Sequence, residues 1–208
     1  MINLKSVFSD FIQPMVPRGP SPAFSLVHLI KTLLLLENES MGRQTLSRYL
    51  NLGEGSVRTI IKRLSEKGLI FVDPVGGCSL TELGHDLVKK IREVIISERE
   101  INLKDFEIKS QAWAIHIRPM FNMTINITKL RDIAVKNGAD GMLIFSFRDS
   151  KISLPLVYED ISRDFPEVRD LLIKSFELRD GDLIFVGFAE NRKLAELSTL
   201  AAAISLFL

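Results

Sequence analysis

The spacing of apolar residues changes character along the chain. Leu26 to Leu36 is almost continuously apolar, broken by His28 and Lys31, and predicts a long helix buried on more than one side, opened by Pro22 with Ser21 as its cap. Leu46 and Leu50 stand four apart in a second helix over Gln44 to Leu50. Val57, Ile60, Ile61 and Leu64 follow the i, i+3, i+4, i+7 rule in a third, Ser56 to Lys67, with a sharp Leu52-Gly53 turn between the two. Leu69 to Val72 and Cys78 to Leu80 read as short strands around a Pro74 to Gly77 turn, and Thr81 caps a helix expected to reach Ser97. The charged, weakly patterned stretch 98–105 is the expected domain boundary.

Beyond it the period alternates between two and 3.6. Gln111 to Arg118 places Trp113, Ile115 and Ile117 in strand alternation until Pro119 stops it. A helix over Thr128 to Lys136 closes at Asn137-Gly138, strands Met142–Phe147 and Ile152–Leu156 flank a tight turn, and a helix spans Arg163 to Phe176. Asp180-Gly181-Asp182 feeds the strand Leu183–Phe188, and an Ala-rich helix covers Arg192 to Phe207. The expected class is α+β: an extended arm over residues 1–21, a helical domain with a hairpin over 22–99, and over 106–208 a two-layer α/β sandwich with a mainly antiparallel sheet.

Composition narrows the class without naming a function. Of 208 residues, 46% are hydrophobic and 25% charged, which suits a chain that buries a core and disfavours disorder. One cysteine, Cys78, rules out a disulfide framework. Neither Leu26–Leu36 nor Leu194–Leu208 reaches the ~20 apolar residues of a membrane span, and MINLKSVFSD lacks a signal-peptide core. A cytoplasmic protein is expected. The formal charge of +1 hides local asymmetry, because Met41 to Val72 holds six basic and two acidic residues.

That excess falls opposite the apolar stripe of the third helix. At 100° per residue the far face is centred on Gly55, Thr59, Lys62 and Glu66, flanked by Arg58 and Arg63. Short polar and long basic side chains on a helix pinned by its other side are what a major groove accepts. The order helix, helix, helix, hairpin, helix in MGRQTLSRYLNLGEGSVRTIIKRLSEKGLI and its continuation resembles the winged helix-turn-helix of prokaryotic regulators over about residues 22–97. The resemblance implies duplex DNA as partner, with Ser56, Thr59 and Lys62 toward base edges, Arg43, Gln44, Arg58, Arg63 and Lys67 toward phosphates, and Thr45 also among the DNA-contacting residues. The wing tip Asp73-Pro74-Val75-Gly76-Gly77 departs from that pattern, since it carries no Lys or Arg.

The second half carries ITKLRDIAVKNGADGMLIFSFRDSKISLPL and DGDLIFVGFAENRKLAELSTLAAAISL. Gly138, Ala139, Gly141, Gly181, Asp182 and Lys193 give it a spacing similar to the small domain inserted in bacterial-type aspartyl-tRNA synthetases and present in archaeal glutamyl-tRNA amidotransferase. The pair of domains also resembles an uncharacterised archaeal family of predicted regulators. These likenesses imply an accessory domain that forms a homodimer or senses a small effector, with a translation-associated RNA or tRNA partner as the alternative to DNA. No nucleophile elbow, phosphate loop or paired metal-ligand spacing is present, so no enzyme, cofactor or metal is expected. His116 and Arg118 share a strand face and could hold an anionic ligand; the competing reading is a solvent-facing or edge-strand pair. Ala195 and Ala201 to Ala203 predict close packing of the last helix on the sheet, or a subunit contact.

Overall fold

The computed structural model describes residues 23–103, 106, 108, 110–120 and 125–206; the expected arm and the Ser21-Pro22 helix start lie outside them. The chain divides into two compact units, one ending at Ile91 and one over Arg92–Leu206, each described here by itself. Among the described residues their elements make an α+β fold of seven helices and two antiparallel sheets. No helix among the described residues is long and apolar enough to cross a membrane.

The first unit begins with α1, Leu26–Leu35. The helix starts four residues later than Pro22 because Ser25 is extended and its N–H donates to His28 Nδ1 at 3.1 Å, which sets the cap there. Burial lowers the His28 pKa, leaving Nδ1 free to accept. Six consecutive residues, Leu29 to Leu34, are buried, as a helix apolar all round requires. Then come α2 (Arg43–Leu50), α3 (Glu54–Glu66), β1 (Ile70–Asp73), β2 (Gly77–Leu80) and α4 (Glu82–Arg92). β1 and β2 form an antiparallel hairpin, and Met41 bridges to Cys78 on its open side. A Cβ at Gly84 would lie 2.1 Å from Leu69 O, so glycine permits α4 to cross the hairpin's base.

α4 stops at Arg92, short of the expected Ser97. The run Val94-Ile95-Ile96 is β-branched and favours extended backbone, so it opens β3, Ile95–Ile101, inside the stretch expected to be a linker. β4 (Gln111–Ile117), α5 (Ile127–Lys136), β5 (Gly141–Arg148), β6 (Lys151–Ser153), α6 (Pro166–Ser175), β7 (Leu183–Ala189) and α7 (Arg192–Ile204) complete the second unit. α6 begins at Pro166 rather than Arg163, with proline in the first turn where a missing N–H costs nothing.

The second unit is built on one five-stranded antiparallel sheet in the order β3-β4-β7-β5-β6. α7 packs on β4 and β7, with α5 beside it on β5. A Cβ at Gly187 would come within 2.0 Å of Thr199 Oγ1, which shows how closely α7 approaches. Ala195, Ala202 and Ala203 are fully buried there, so they serve that approach and are not open to a subunit contact. On the other face Val168 and Leu172 of α6, with Phe176 just after it, join Ala112, Ala114, Phe145, Ile184 and Val186 in one core.

Candidate nucleic-acid interface

The turn between α2 and α3 fixes the angle at which α3 is presented. The left-handed residue is Asn51 (φ 54°), whereas Gly53 has an ordinary φ of −62° and caps α3, so the sharp bend lies one step earlier than Leu52-Gly53. Asparagine tolerates that conformation because its short polar side chain bonds locally. Ser47 Oγ donates to Leu52 O at 2.5 Å, and Arg43 Nε donates to Glu54 Oε2 at 3.0 Å, tying the start of α2 to the start of α3.

α3 is anchored on one side and open on the other. Val57, Ile60 and Leu64 are each 0% exposed, while Gly55, Arg58, Thr59, Lys62 and Glu66 are exposed. Ser56 and Thr45 are half-buried, and Gln44 and Lys67 are exposed. Thr59 Oγ1 donates back to Gly55 O at 3.1 Å, and Lys62 Nζ stands 3.7 Å from Glu66 Oε1. Such an exposed pair contributes little and exchanges readily for another anion. Arg63 departs from the expected footprint: it is half-buried, with its guanidinium 4.9 Å above the Phe24 ring. A cation–π contact inside the unit competes with any phosphate for that side chain.

The wing adds no cation. Asp73 Oδ1 accepts the N–H groups of Val75 (2.8 Å) and Gly76 (2.5 Å), which closes the tip and holds its carboxyl below the usual range. Phe71, Val72 and Val75 are the exposed large residues there, Val75 almost completely.

His116 and Arg118 do converge on an anion, but the chain supplies it. Antiparallel register sets Ile117 opposite Leu183, so one residue further Arg118 faces Asp182. Arg118 forks onto Asp182 through Nε–Oδ1 (3.0 Å) and Nη2–Oδ2 (2.8 Å), His116 Nε2 lies 2.7 Å from Oδ2, and Arg179 N donates to Oδ2 at 2.9 Å. His116 is completely buried on an interior strand, with its ring 5.7 Å from Phe176, so it is neither a solvent-facing nor an edge-strand residue. Burial lowers the His116 pKa more than Asp182 raises it. The imidazole is therefore neutral, donates from Nε2 and leaves Nδ1 buried with no partner among the described residues. Burial pushes the Asp182 carboxyl up, but Arg118, the Arg179 N–H and His116 together outweigh it and hold the pKa below 3.8. With its charge answered internally, this cluster is a structural tie rather than an open ligand or catalytic site. Sequence reading placed Asp182 in a turn, and only the β4–β7 register brings it to residues more than sixty positions away.

Comparison with known proteins divides the chain as the contacts do. Residues 26–86 match the family described as PH0730-like, N-terminal domain. Residues 108–206 match a domain of unknown function, DUF4443. A solved structure, hypothetical protein PH0730 from Pyrococcus horikoshii OT3, is 28% identical, with 88% of this chain and 92% of that one aligned at a TM-score of 0.71. A second, the zinc-dependent MarR family transcriptional regulator AdcR in its Zn(II)-bound state, is 21% identical over 43% of this chain and 73% of that one. Its TM-score of 0.29 is too low to carry an argument. No curated protein matches the chain. None of these descriptions names an enzyme or a tRNA synthetase domain, so the synthetase likeness stays a reading of sequence.

Proposed function

We propose that the chain is a duplex-DNA-binding protein that regulates transcription, with α3 entering the major groove and the second unit serving for dimerisation or ligand sensing. The observation that carries this reading is the division of α3: Val57, Ile60 and Leu64 with no exposure and Ile61 half-buried beside them, and Arg58, Thr59 and Lys62 standing in solvent on the reverse. Thirteen residues make a rod of roughly 20 Å, long enough to lie across one major-groove exposure. In this reading Ser56, Thr59 and Lys62 approach base edges, while Arg43, Gln44, Thr45, Arg58 and Lys67 flank the phosphates. Arg63 contributes less than its charge suggests, because Phe24 holds it. Because the wing carries no cation, the cationic contacts of this reading come, among the described residues, from α2, α3 and Lys67.

The test is retention of the full chain on mixed-sequence duplex DNA, followed by fluorescence anisotropy across a salt series. Replacing Arg58 and Lys62 together by Ala should remove most of the affinity and lower the salt slope by about one, the share of the phosphate contact of Arg58, since Lys62 is given to base edges. An unchanged slope and affinity in that double variant would overturn the assignment. Preferential displacement of labelled duplex by tRNA would move the partner to folded RNA.

A further inference from the structure

One end of the second unit's sheet holds a cavity of about 550 Å³ whose lining includes Ser146, Arg148, Lys151, Ser153 and Leu183. Strand alternation explains why these side chains share one face. On β5 the even-numbered residues point away from the α6 core, and pairing sets Ser146 opposite Ser153 and Arg148 opposite Lys151. Leu183 of β7 is the partner of Ser146 on its other side. The face therefore presents a row of two cations at the hairpin end, a row of two hydroxyls next to it, and an apolar floor.

The cation row is costly as it stands. Like charges directly opposite across an antiparallel pair repel and destabilise the hairpin. Among the described residues neither Arg148 nor Lys151 makes an ion pair within 4.0 Å, although both are exposed, Lys151 stands near enough to Asp160 to lower its pKa, and the lining also carries the carboxylates of Asp149 and Glu159. The turn between them adds to the cost, since both Asp149 (φ 50°) and Ser150 (φ 61°) are left-handed without being glycine. The hydroxyl row is also poised to donate. Ser146 Oγ and Ser153 Oγ are 2.7 Å apart, so one donates to the other and the second proton is left to point elsewhere. Glu159 on the rim offers an acceptor, and Pro119, Ile125 and Leu183 an apolar wall.

We propose that this cavity binds a small organic phosphate, its dianionic group between Arg148 and Lys151, its oxygens taking the serine hydroxyl proton, and its body against Leu183 and the apolar wall. A dianion matches two adjacent cations where a single carboxylate would satisfy one. The site is distinct from the His116–Asp182 cluster, and it stands whether or not α3 binds DNA.

Inorganic phosphate probes the headgroup, and phenyl phosphate probes headgroup plus body. Both are titrated into the full chain at constant ionic strength and followed by amide chemical shifts. Saturable shifts should centre on Ser146 to Ser153, with phenyl phosphate binding about ten-fold tighter than phosphate because its ring covers apolar wall. Replacing Arg148 and Lys151 together by Gln should weaken both ligands by at least about ten-fold, whereas Lys174→Gln, an exposed cation on α6, should leave them unchanged. Non-saturable shifts, shifts elsewhere, or equal binding by the double variant and the Lys174→Gln control would each overturn the proposal. A folded double variant is verified by its unshifted amides on β4 and β7.

Discussion

Asp182→Ala is the most informative single substitution in the second unit. Asp182 is 1% exposed and receives four hydrogen bonds, from both Arg118 nitrogens, His116 Nε2 and the Arg179 N–H. Alanine leaves His116 with both ring nitrogens buried and unpartnered, and strands a guanidinium that is 29% exposed. Removing one partner of a buried, hydrogen-bonded charge pair costs about 3–5 kcal/mol. In a unit of this size that lowers the transition midpoint by roughly 10–15 °C. Trp113 is the single tryptophan and lies buried on β4, so its fluorescence reads unfolding of this unit directly. Asp182→Asn should lose less, about 1–2 kcal/mol, because one oxygen still accepts from Arg118. The pH dependence has the same origin. Both folded-state pKa values are depressed, so the unfolded chain binds protons first and stability rises with pH. The His116 contribution is complete above 6.5 and declines as pH falls through its folded value; the Asp182 contribution declines further below 3.8. A parent-like midpoint in Asp182→Ala, within about 0.5 kcal/mol, would refute the tie.

Gly187→Ala should destabilise the second unit by about 1–3 kcal/mol, since its Cβ would meet Thr199 Oγ1 at 2.0 Å. Adding Thr199→Ala should recover most of that loss, and a double-mutant cycle read by Trp113 fluorescence decides it. Cys78 is 2% exposed and burial raises its thiol pKa, so a thiol-specific reagent should label it only as the first unit unfolds. Stoichiometric labelling within seconds in native buffer would contradict the packing of β2.

What could be read from the sequence is what local periodicity encodes. The stripe Val57, Ile60, Leu64 buries one side of α3, and neighbours in sequence suffice to reveal it; the alternation of Trp113, Ile115 and Ile117 locates β4 but not the burial of Ala112, Ala114 and His116 on its other face. The strand at Ile95–Ile101 escaped because its charges are of the kind an edge strand carries: Glu98 accepts the Trp113 Nε1 hydrogen bond, and Glu100 pairs with Arg192 at 3.5 Å. A charged stretch thus reads as a linker until the partner strand is known. The same holds for Asp182 and for the Arg148–Lys151 row, whose meaning arises from register between strands. The Phe24–Arg63 stack joins residues far apart in sequence, and no local pattern announces it.

These nonlocal contacts change the electrostatics of the first unit more than its composition suggests. Six basic residues stand between Met41 and Val72, but Arg43 is bound to Glu54 and Arg63 lies on Phe24. Lys62 faces Glu66 across an exposed pair too weak to withhold it from the base edges, which leaves Arg48, Arg58 and Lys67, all exposed, for phosphates. The number of phosphates one copy can neutralise is therefore nearer three than six, which corresponds to a salt slope of about −3. A slope that small leaves one copy with weak, largely nonspecific binding at physiological salt. Two copies with recognition helices one duplex turn apart, about 34 Å, would double it. A measured slope near −6 on a palindromic site, against about −3 on a half-site, is the outcome the geometry of α3 requires if the chain acts as a dimer; equal slopes on both would assign it a single-copy mode.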